Sequence, residues 1–396
     1  MSTVAVPEYR VLSLFSGCGG MDHGFHQAGF NISLAIDNDK DAVECYNANA
    51  KPVAVKAVIH ANLNFIEYPD IIIAGPPCQG FSTGGGYKEN DARNDMLAIT
   101  CQIISARRPK IAVIENVESL TNSRNKVYFH GALDTLSSAG YFCQWQVLSA
   151  DDYGVPQRRR RTVIVARRGG PFSIDIGRAS QRMTLSSALA GISESDFNHH
   201  PVFPSEGTKH ALIARHIGQG QKLCNVRSGP KSVATWDVPE VFGQVSREER
   251  NLLETIRKLR RTERKRKFGD ADAVSIERIS NETGFFDRTL IVRLMRAGYI
   301  RMIGEDFDLT NTFNGKYRRL EEDGYSPTVD TRFGDIQLFV HPNRDRALTV
   351  REAARIQGFS DSVRFPDNAK AAFRLIGNAV PPPMSRAVAE FCKGIL

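Results

Sequence analysis

A run of apolar residues at 71–74 ends at a pair of prolines, and a cysteine follows them. The run consists of three isoleucines and Ala74, and the next residues are Gly75, Pro76, Pro77 and Cys78. Successive apolar positions predict a strand that is buried on both faces of a parallel sheet. Because proline cannot donate to a strand ladder, the strand should end before the pair. Cys78 should then lie at the carboxyl end of a central strand, where open α/β sheets bind their ligands.

Other segments have patterns that fit the same kind of sheet. Apolar runs at 9–14, 32–36 and 111–117 predict strands, and helical segments are predicted at 20–29 and 98–107. Strands that alternate with helices predict a mixed α/β sheet of the Rossmann-like type, with helices on both faces.

A glycine-rich turn follows the first of these strands. Its sequence is Phe-Ser-Gly-Cys-Gly-Gly at 15–20, and Asp37 ends the next strand about 20 residues after the glycines. Glycines let the backbone approach a ligand, and a carboxylate at this distance suits ribose hydroxyls. From the residues alone the pattern fits NAD, FAD or S-adenosylmethionine, and also a turn that binds nothing.

Two other strand ends carry polar groups. Glu115 and Asn116 end the run at 111–117, and Gln-Arg-Arg-Arg-Arg at 157–161 leads into a further strand. With a period of two, Gln157, Arg159 and Arg161 share one face, and the other two arginines point away. Glu115 is either a solvated strand end or an acid with a catalytic task. Likewise, Cys78 is either a small buried side chain or a nucleophile.

Composition narrows the class of protein. The chain has 396 residues, 41% of them hydrophobic, which is enough for two domains with sizeable cores. Its seven cysteines contain no Cys-x-x-Cys pair, so neither a disulfide framework nor a zinc site is expected, and no metal is predicted. We expect no membrane span and no signal peptide, and therefore a cytoplasmic protein. The net charge of +8 favours a polyanionic partner.

The region at 172–346 has a different pattern. A basic helix is predicted at 247–267, two short helices at 275–283 and 287–297, and a β-hairpin at 299–310. The order predicts a winged helix-turn-helix within 274–310, whose second helix would enter the major groove of DNA. Its candidate DNA contacts are Arg288, Thr289, Arg293 and Arg296. The alternative is an ordinary helical insertion with solvated arginines.

Taken together, the motifs resemble those of the cytosine-5 DNA methyltransferase family of prokaryotic type. They are Phe-x-Gly-x-Gly-Gly at 15–20, Pro-Cys-Gln at 77–79, Glu-Asn-Val at 115–117, Gln-x-Arg-x-Arg at 157–161 and Gly-Asn at 377–378. They stand in the family order, across about 9–168 and 347–396. The resemblance implies the S-adenosylmethionine-dependent methyltransferase fold. It also implies a catalytic domain in two parts, 1–171 and 347–396, around a target-recognition domain at 172–346.

The resemblance also implies roles for residues. Cys78 would add to C6 of a cytosine flipped out of duplex DNA, Glu115 would act as an acid at N3, Arg161 would bind O2 and Arg159 would support Glu115. The residues implied for S-adenosyl-L-methionine, and for its product S-adenosyl-L-homocysteine, are Phe15, Ser16, Gly17, Cys18, Gly19, Gly20, Asp37, Asn38, Asn62, Leu63, Pro77, Met96, Asn378 and Ala379. Further DNA contacts are implied for Gln79, Ser82 and Arg93. Asn38 and Asn62 depart from the residue types common in the family.

Three alternatives remain open. A related branch methylates tRNA, although it lacks a large recognition insertion. A DNA-binding regulator could have kept a methyltransferase-like body, and a nicotinamide oxidoreductase would leave Cys78 unexplained. If the chain acts on duplex DNA, we expect a monomer on DNA, located at the nucleoid, and a cognate restriction endonuclease as a partner.

Overall fold

The computed structural model describes residues 9–63, 68–77, 95–179, 181–262, 272–284 and 287–396, and these form two compact units. Unit 1 extends to His200 and also includes Asp323–Phe333 and Thr349–Leu396. Unit 2 consists of Pro201–Glu322 and Gly334–Leu348. The division differs from the one expected at 172 and 346, because two segments of the expected recognition domain belong to unit 1.

Secondary structure follows the predicted alternation of strands and helices in the first half of the chain. In chain order the elements are β1 (Arg10–Leu14), α1 (Gly20–Gln27), β2 (Asn31–Asp37), α2 (Lys40–Asn49), β3 (Ala54–Lys56), β4 (Ile71–Ala74), α3 (Asp95–Arg107), β5 (Ile111–Val117), α4 (Lys126–Ser138), β6 (Phe142–Ser149), β7 (Gln157–Arg158), β8 (Arg160–Arg167), α5 (Leu185–Leu189), α6 (Lys209–His216), β9 (Lys222–Leu223), β10 (Ser232–Val233), α7 (Pro239–Phe242), α8 (Arg247–Thr262), α9 (Ile276–Thr283), α10 (Arg288–Arg296), β11 (Ile300–Ile303), β12 (Asp306–Leu309), β13 (Arg318–Arg319), β14 (Ser326–Pro327), β15 (Phe339–Val340), α11 (Val350–Gln357), α12 (Ala369–Asn378) and α13 (Pro382–Ile395). Short 3₁₀ helices lie at Glu118–Thr121, Ala150–Tyr153 and Thr235–Asp237.

Unit 1 is organised around a sheet that, in the described residues, has seven strands in the order β3-β2-β1-β4-β5-β8-β6. The strands from β3 to β5 are parallel, and β8 runs antiparallel to both β5 and β6. The expected mixed α/β sheet with mainly parallel strands is therefore confirmed. Because β1, β2, β4 and β5 are parallel, their carboxyl ends meet at one edge of the sheet.

Apolar side chains cover both faces of this sheet. On one face, Ile71 and Ile73 pack in a core with residues of α1 and α13, including Phe25 and Met384. On the other face, Ile72 packs in a core with residues of α3 and α4. The three isoleucines of β4 are completely buried, as the unbroken apolar run predicts.

The C-terminal helices complete the first core. The α1 backbone at Gly24 approaches α13 so closely that a Cβ there would lie 2.4 Å from the amide nitrogen of Arg386. Gly20 approaches Val380 in the same way, with a Cβ position 2.4 Å from its carbonyl oxygen. Helix α11 begins at a capping box, in which Thr349 and Glu352 bond each other's backbone amides. The start and the end of the chain thus pack in one core.

Two segments between residues 172 and 346 belong to unit 1 because their side chains and backbone bond to its core. Ile176 is buried in the first core. In the later segment, β14 pairs with β7, and the amide of Val329 donates to Gln157 Oε1 at 3.0 Å. The contacts of this later segment join residues more than 150 positions apart, so no local sequence pattern predicts them.

Unit 2 contains two apolar clusters. One consists of Trp236 with side chains from α8, α9, α10, β11 and β12. The other includes Ile213, Leu223, Tyr317 and Val340. Arg319 is buried beside this second cluster, where its guanidinium donates to the carbonyls of Ile217 at 2.6 Å and Ala214 at 2.7 Å and pairs with Asp345.

Candidate active site

A cleft of about 540 Å³ opens at the carboxyl edge of the unit 1 sheet. The ends of β1, β2, β4 and β5 contribute to it, as do the residues that follow α12. Of the predicted cofactor residues, those that line the cleft are Phe15, Ser16, Gly17, Gly20, Asp37, Asn38, Pro77, Met96, Asn378 and Ala379. Glu115, Arg159 and Arg161 line the same cleft. The fold therefore brings most of the predicted site residues together.

The glycine-rich turn is held by backbone hydrogen bonds. The amide of Ser16 donates to the carbonyl of Ile36 at 3.1 Å, and the amide of Gly19 donates to the carbonyl of Ser16 at 3.0 Å. Gly17 has a φ of 56°, which favours glycine, and Phe15 adopts a φ of 55°. Ser16 Oγ is buried and, among the described residues, has no hydrogen-bond partner. A bound molecule would complete such a group.

Asp37 ties the end of β2 to this turn. Its Oδ2 accepts from the amide of Gly17 at 2.8 Å, and its Oδ1 accepts from the amide of Asp39 at 2.9 Å. Burial raises the pKa of Asp37, and backbone hydrogen bonds from Gly17 and Asn38 and the charge of Arg374 oppose that shift. Because a carboxylate has about four lone-pair directions, Asp37 still has acceptor capacity for hydroxyl groups.

Four predicted cofactor residues do not line the cleft. Cys18 and Gly19 line a separate cavity of about 370 Å³ on the other side of the turn. Cys18 is buried, and its thiol points to the carbonyl of Leu375 at 3.6 Å. A hydrogen bond to the Cys45 thiol and burial raise the pKa of Cys18. Asn62 is exposed and Leu63 is half-buried, and neither lines the cleft. Residues 57–59, a few positions earlier, line it instead.

Glu115 and Arg161 form an ion pair at the edge of the sheet. Arg161 Nε lies 2.8 Å from Glu115 Oε1, and both side chains are largely buried. The antiparallel register of β5 and β8 places Arg161 opposite Val117, two residues beyond Glu115. Glu115 Oε2 faces Gly75 at the end of β4, 3.8 Å from the position a Cβ would take there. A carboxyl group and a guanidinium thus converge beside the strand that leads to Cys78.

Asn116 connects β5 to the proline turn after β4. Its Nδ2 donates to the carbonyl of Pro76 at 3.2 Å, and its Oδ1 accepts from the amide of Val117 at 2.9 Å. The side chain is completely buried. Cys78, Gln79, Ser82 and Arg93 lie outside the described residues, so Pro77 is the last described residue before the cysteine.

The expected face of the arginine segment is confirmed. Gln157 and Arg159 are buried and Arg161 is half-buried, whereas Arg158 and Arg160 are exposed. Arg159 donates from its two terminal nitrogens to the carbonyl of Val329 at 3.1 Å and to that of Gly377 at 3.0 Å. Arg159 therefore holds two later segments of unit 1 at the cleft. Its predicted support of Glu115 stays a prediction.

Sequence reasoning missed one charged group in the cleft. Arg374 on α12 pairs with Asp39 and with Asp41, the latter at 2.7 Å. Both aspartates lie at the start of α2, and Asp39 and Arg374 line the cleft. The alternating acids at 37, 39 and 41 were a signal that a cation lies opposite them.

Two of the four predicted DNA contacts on α10 have defined roles within unit 2. Arg293 Nε pairs with the buried carboxylate of Glu249 at 2.5 Å, so this guanidinium joins α10 to α8. The amide of Thr289 donates to the capping side chain of Asp287 at 2.8 Å, which leaves its hydroxyl exposed. Arg288 and Arg296 are also exposed.

Comparison with solved structures places the fold among methyltransferases. A prophage-encoded protein of E. coli, described as a candidate DNA modification methyltransferase, aligns with a TM-score of 0.60 at 22% identity and covers 98% of this chain and 99% of its own. The Dnmt2 methyltransferase of S. pombe aligns with a TM-score of 0.56 at 16% identity, with 98% of both chains covered. The chain thus shares the Rossmann-like α/β fold of these two proteins.

Sequence comparison gives the family. Residues 9–394 match the C-5 cytosine-specific DNA methylase family, and the chain belongs to that family. The Type II methyltransferase M.AgeI of Thalassovita gelatinovora is 29% identical, with 97% of this chain and 99% of the relative covered. The Type II methyltransferase M.XorII of Xanthomonas oryzae is also 29% identical, with 95% of this chain and 82% of the relative covered. The chain is accordingly a DNA (cytosine-5-)-methyltransferase.

Proposed function

We propose that the chain methylates C5 of a cytosine flipped out of a specific duplex DNA sequence, through a covalent bond between Cys78 and C6. The observation that carries this proposal is the ion pair of Glu115 and Arg161 in the cleft that the glycine-rich turn and Asp37 also line. Cytosine accepts a nucleophile at C6 only if charge on its ring is neutralised at the same time. A carboxyl group and a guanidinium side by side suit N3 and O2 of that ring.

The first step forms the bond between sulfur and C6. Flipping the base out costs a few kcal/mol, and forming the thiolate at pH 7 costs roughly 2 kcal/mol for an unperturbed cysteine. As the thiolate of Cys78 adds, the ring electrons move towards N3, which takes a proton from Glu115. Glu115 pairs with Arg161 as a carboxylate, so the proton that it gives to N3 must first come from solvent. Oε1 lies 2.8 Å from Arg161 Nε, and Oε2, on the Gly75 side, is the oxygen that would carry that proton. The guanidinium of Arg161 stays charged and stabilises O2.

The second step transfers the methyl group. C5, made nucleophilic by the addition at C6, bonds to the methyl carbon that bound S-adenosyl-L-methionine would supply; the bond from that carbon to the sulfonium sulfur breaks, and S-adenosyl-L-homocysteine would leave. C5 then loses its proton to water, the bond between Cys78 and C6 breaks, and N3 returns its proton through Glu115 to solvent. Atoms and charges balance, and the enzyme returns to its starting state.

The residues that line the cleft fit this cofactor. Ser16 Oγ is an unpartnered buried group among the described residues, and Asp37 offers acceptor positions for ribose hydroxyls. Apolar side chains of Phe15, Val58 and Ile59 provide a surface for the adenine ring. The cleft volume of about 540 Å³ is within the range usual for small-molecule sites.

We also infer the setting of this activity. Duplex DNA is the substrate, and a cognate restriction endonuclease is the partner, since the relatives named above are Type II methyltransferases. No helix in the described parts of the chain is long and apolar enough to cross a membrane. We place the protein in the cytoplasm of a prokaryote, at the nucleoid, as a monomer on DNA. A dimer bound to one target duplex in light scattering would contradict the monomer.

The Glu115→Gln variant tests the catalytic assignment. An amide cannot supply the proton, so methyl transfer under single turnover should be about 100- to 10,000-fold slower, with the cofactor affinity nearly unchanged. Methylation of duplex DNA is measured by the incorporation of labelled methyl groups, with tRNA as a parallel substrate. An unchanged rate would remove Glu115 from the mechanism, and transfer to tRNA alone would overturn the proposed substrate.

The Cys78→Ser variant is the companion experiment. It should lose turnover while it still binds DNA and S-adenosyl-L-methionine, because only the covalent step needs the thiol. Full methylation by this variant would exclude the covalent route.

A further inference from the structure

One part of unit 2 has the element order of a winged helix-turn-helix. It comprises α8, Val274, α9, α10, β11 and β12, and is called the winged module below. β11 and β12 form an antiparallel hairpin, and Val274 forms an antiparallel bridge with Phe307 on β12. A first helix, a short edge strand, two helices and a hairpin therefore follow one another. In proteins that bind DNA through this motif, the second helix of the helix-turn-helix lies in the major groove.

The winged module has a core of its own. Side chains from every one of its elements meet in one cluster, which includes Leu253, Ile279, Leu294 and Leu309. The buried guanidinium of Arg260 pairs with Asp308, which fixes α8 to β12. Such a core keeps the exposed side of α10 in a defined orientation on the module.

The two sides of α10 are clearly different. Ile291 and Leu294 are buried in the core, and Arg293 is engaged with Glu249. The outward side is exposed and consists of Arg288, Thr289, Val292 and Arg296. Residues 288, 292 and 296 are four positions apart, so they lie along one face of the helix. This face has two guanidinium groups, a hydroxyl and a methyl-bearing side chain, and it has no acidic residue.

The neighbouring hairpin has an unusual exposed surface. Met302 and Ile303 are 54% and 49% exposed, next to the turn at Gly304. Arg301 is also exposed and pairs with Asp308 at 3.2 Å. Apolar side chains beside an arginine suit the sugars and phosphates along the edge of a DNA groove.

We propose that the outward face of α10 reads base edges in the major groove of the duplex that the enzyme methylates, and that the hairpin of β11 and β12 contacts the adjacent backbone. This inference rests on the proposed function, since it takes duplex DNA as the partner. The major groove admits one α-helix, and arginine is the usual partner of guanine O6 and N7. Val292 is suited to the methyl group of thymine. Arg293 joins α10 to α8 through Glu249, so the proposal assigns base contacts to Arg288 and Arg296.

The test uses the full-length chain with single substitutions on α10. Wild type, Arg288→Ala and Arg296→Ala methylate a library of duplexes of random sequence, and the modified cytosines are read with their flanking bases. Each variant should lose preference at one or two base pairs and should methylate the best wild-type duplex about 10- to 100-fold less efficiently. The KM for S-adenosyl-L-methionine should not change. Arg247→Ala removes an exposed arginine from α8 and serves as the matched control, with the wild-type preference expected.

The results distinguish base contacts by α10 from phosphate contacts and from no contact with DNA. An unchanged target preference in both variants would overturn the inference. So would an equal loss on all sequences with a shallower salt dependence, because that pattern is typical of phosphate contacts. Binding of the same duplexes is measured separately by fluorescence anisotropy. If wild type binds a preferred duplex without methylating it, and the two variants lose that preference, the proposed function fails and the inference about α10 stands.

Discussion

Replacing Asn116 by alanine should weaken catalysis more than it weakens cofactor binding. The substitution removes two hydrogen bonds of a completely buried side chain. Asn116 Nδ2 no longer donates to the carbonyl of Pro76, and Oδ1 no longer accepts from the backbone amide of Val117. Two buried hydrogen bonds at about 1–1.5 kcal/mol each give a loss of about 2–3 kcal/mol in the free energy of unfolding. Because Pro76 precedes Cys78, the proposed nucleophile, by two residues, its displacement should misplace the thiol, and an error of about 1 Å can cost about 100-fold in rate.

The assay measures the single-turnover rate of methyl transfer and the thermal unfolding of each variant over the same temperature range. Asn225→Ala is the control, because Asn225 is also completely buried; it donates to Thr235 Oγ1 and to the carbonyl of Thr310 and accepts from the amide of Thr235, all within unit 2. We expect the control to lose at least as much stability as Asn116→Ala, but a loss of about 100-fold in rate at saturating DNA and cofactor only for Asn116→Ala. Equal rates in the two variants, well below their unfolding temperatures, would refute the positioning role of Asn116.

Two further predictions concern stability. Arg319→Met leaves the carbonyls of Ala214 and Ile217 without their donor, at about 1–3 kcal/mol each, so the free energy of unfolding should fall by about 2–6 kcal/mol. The loss is measured as proteolysis of unit 2 at a lower urea concentration, and unchanged cleavage would contradict this. Burial raises the pKa of Asp22 to about 6. The folded chain therefore binds the Asp22 proton more tightly than the unfolded chain does. As a result, the contribution of protonated Asp22 to stability falls as pH rises from about 4 to about 6. The free energy of unfolding of wild type relative to Asp22→Asn should therefore drop by up to about 3 kcal/mol between pH 4 and pH 7 in urea titrations, and a constant difference would argue against the shifted pKa.

The parts of the site that sequence could predict depend on local patterns. The isoleucine run predicted β4 because a strand buried on both faces has no polar side. Glu115 was predicted near the end of a second strand of the same kind. Parallel neighbours then bring these two strand ends together. The buried side of the arginine segment followed from the period of two.

The remaining features depend on contacts between distant residues. Arg159 bonds to carbonyls at Val329 and Gly377, and such backbone acceptors have no sequence signature. The pairing of Arg293 with Glu249 required the packing of α8 against α10, which gives this predicted DNA contact a structural role that the sequence did not indicate. Asn62 and Leu63 were expected at the cleft, but the chain reaches it a few residues earlier, because β3 ends at Lys56 and the residues that follow line the cleft.

The shared core of α1 and α13 has a consequence for how the protein is made. Met384 and Val388 leave the ribosome only after the preceding parts of unit 1 and all of unit 2, yet they fill the space beside Phe25 in the first core. During translation, one apolar face of the unit 1 sheet therefore stays uncovered until α13 has emerged. By that time all of unit 2 has already emerged and can fold. A premature stop a few residues before α13 should therefore produce a chain that aggregates or is degraded, with a folded insert attached to an incomplete enzyme.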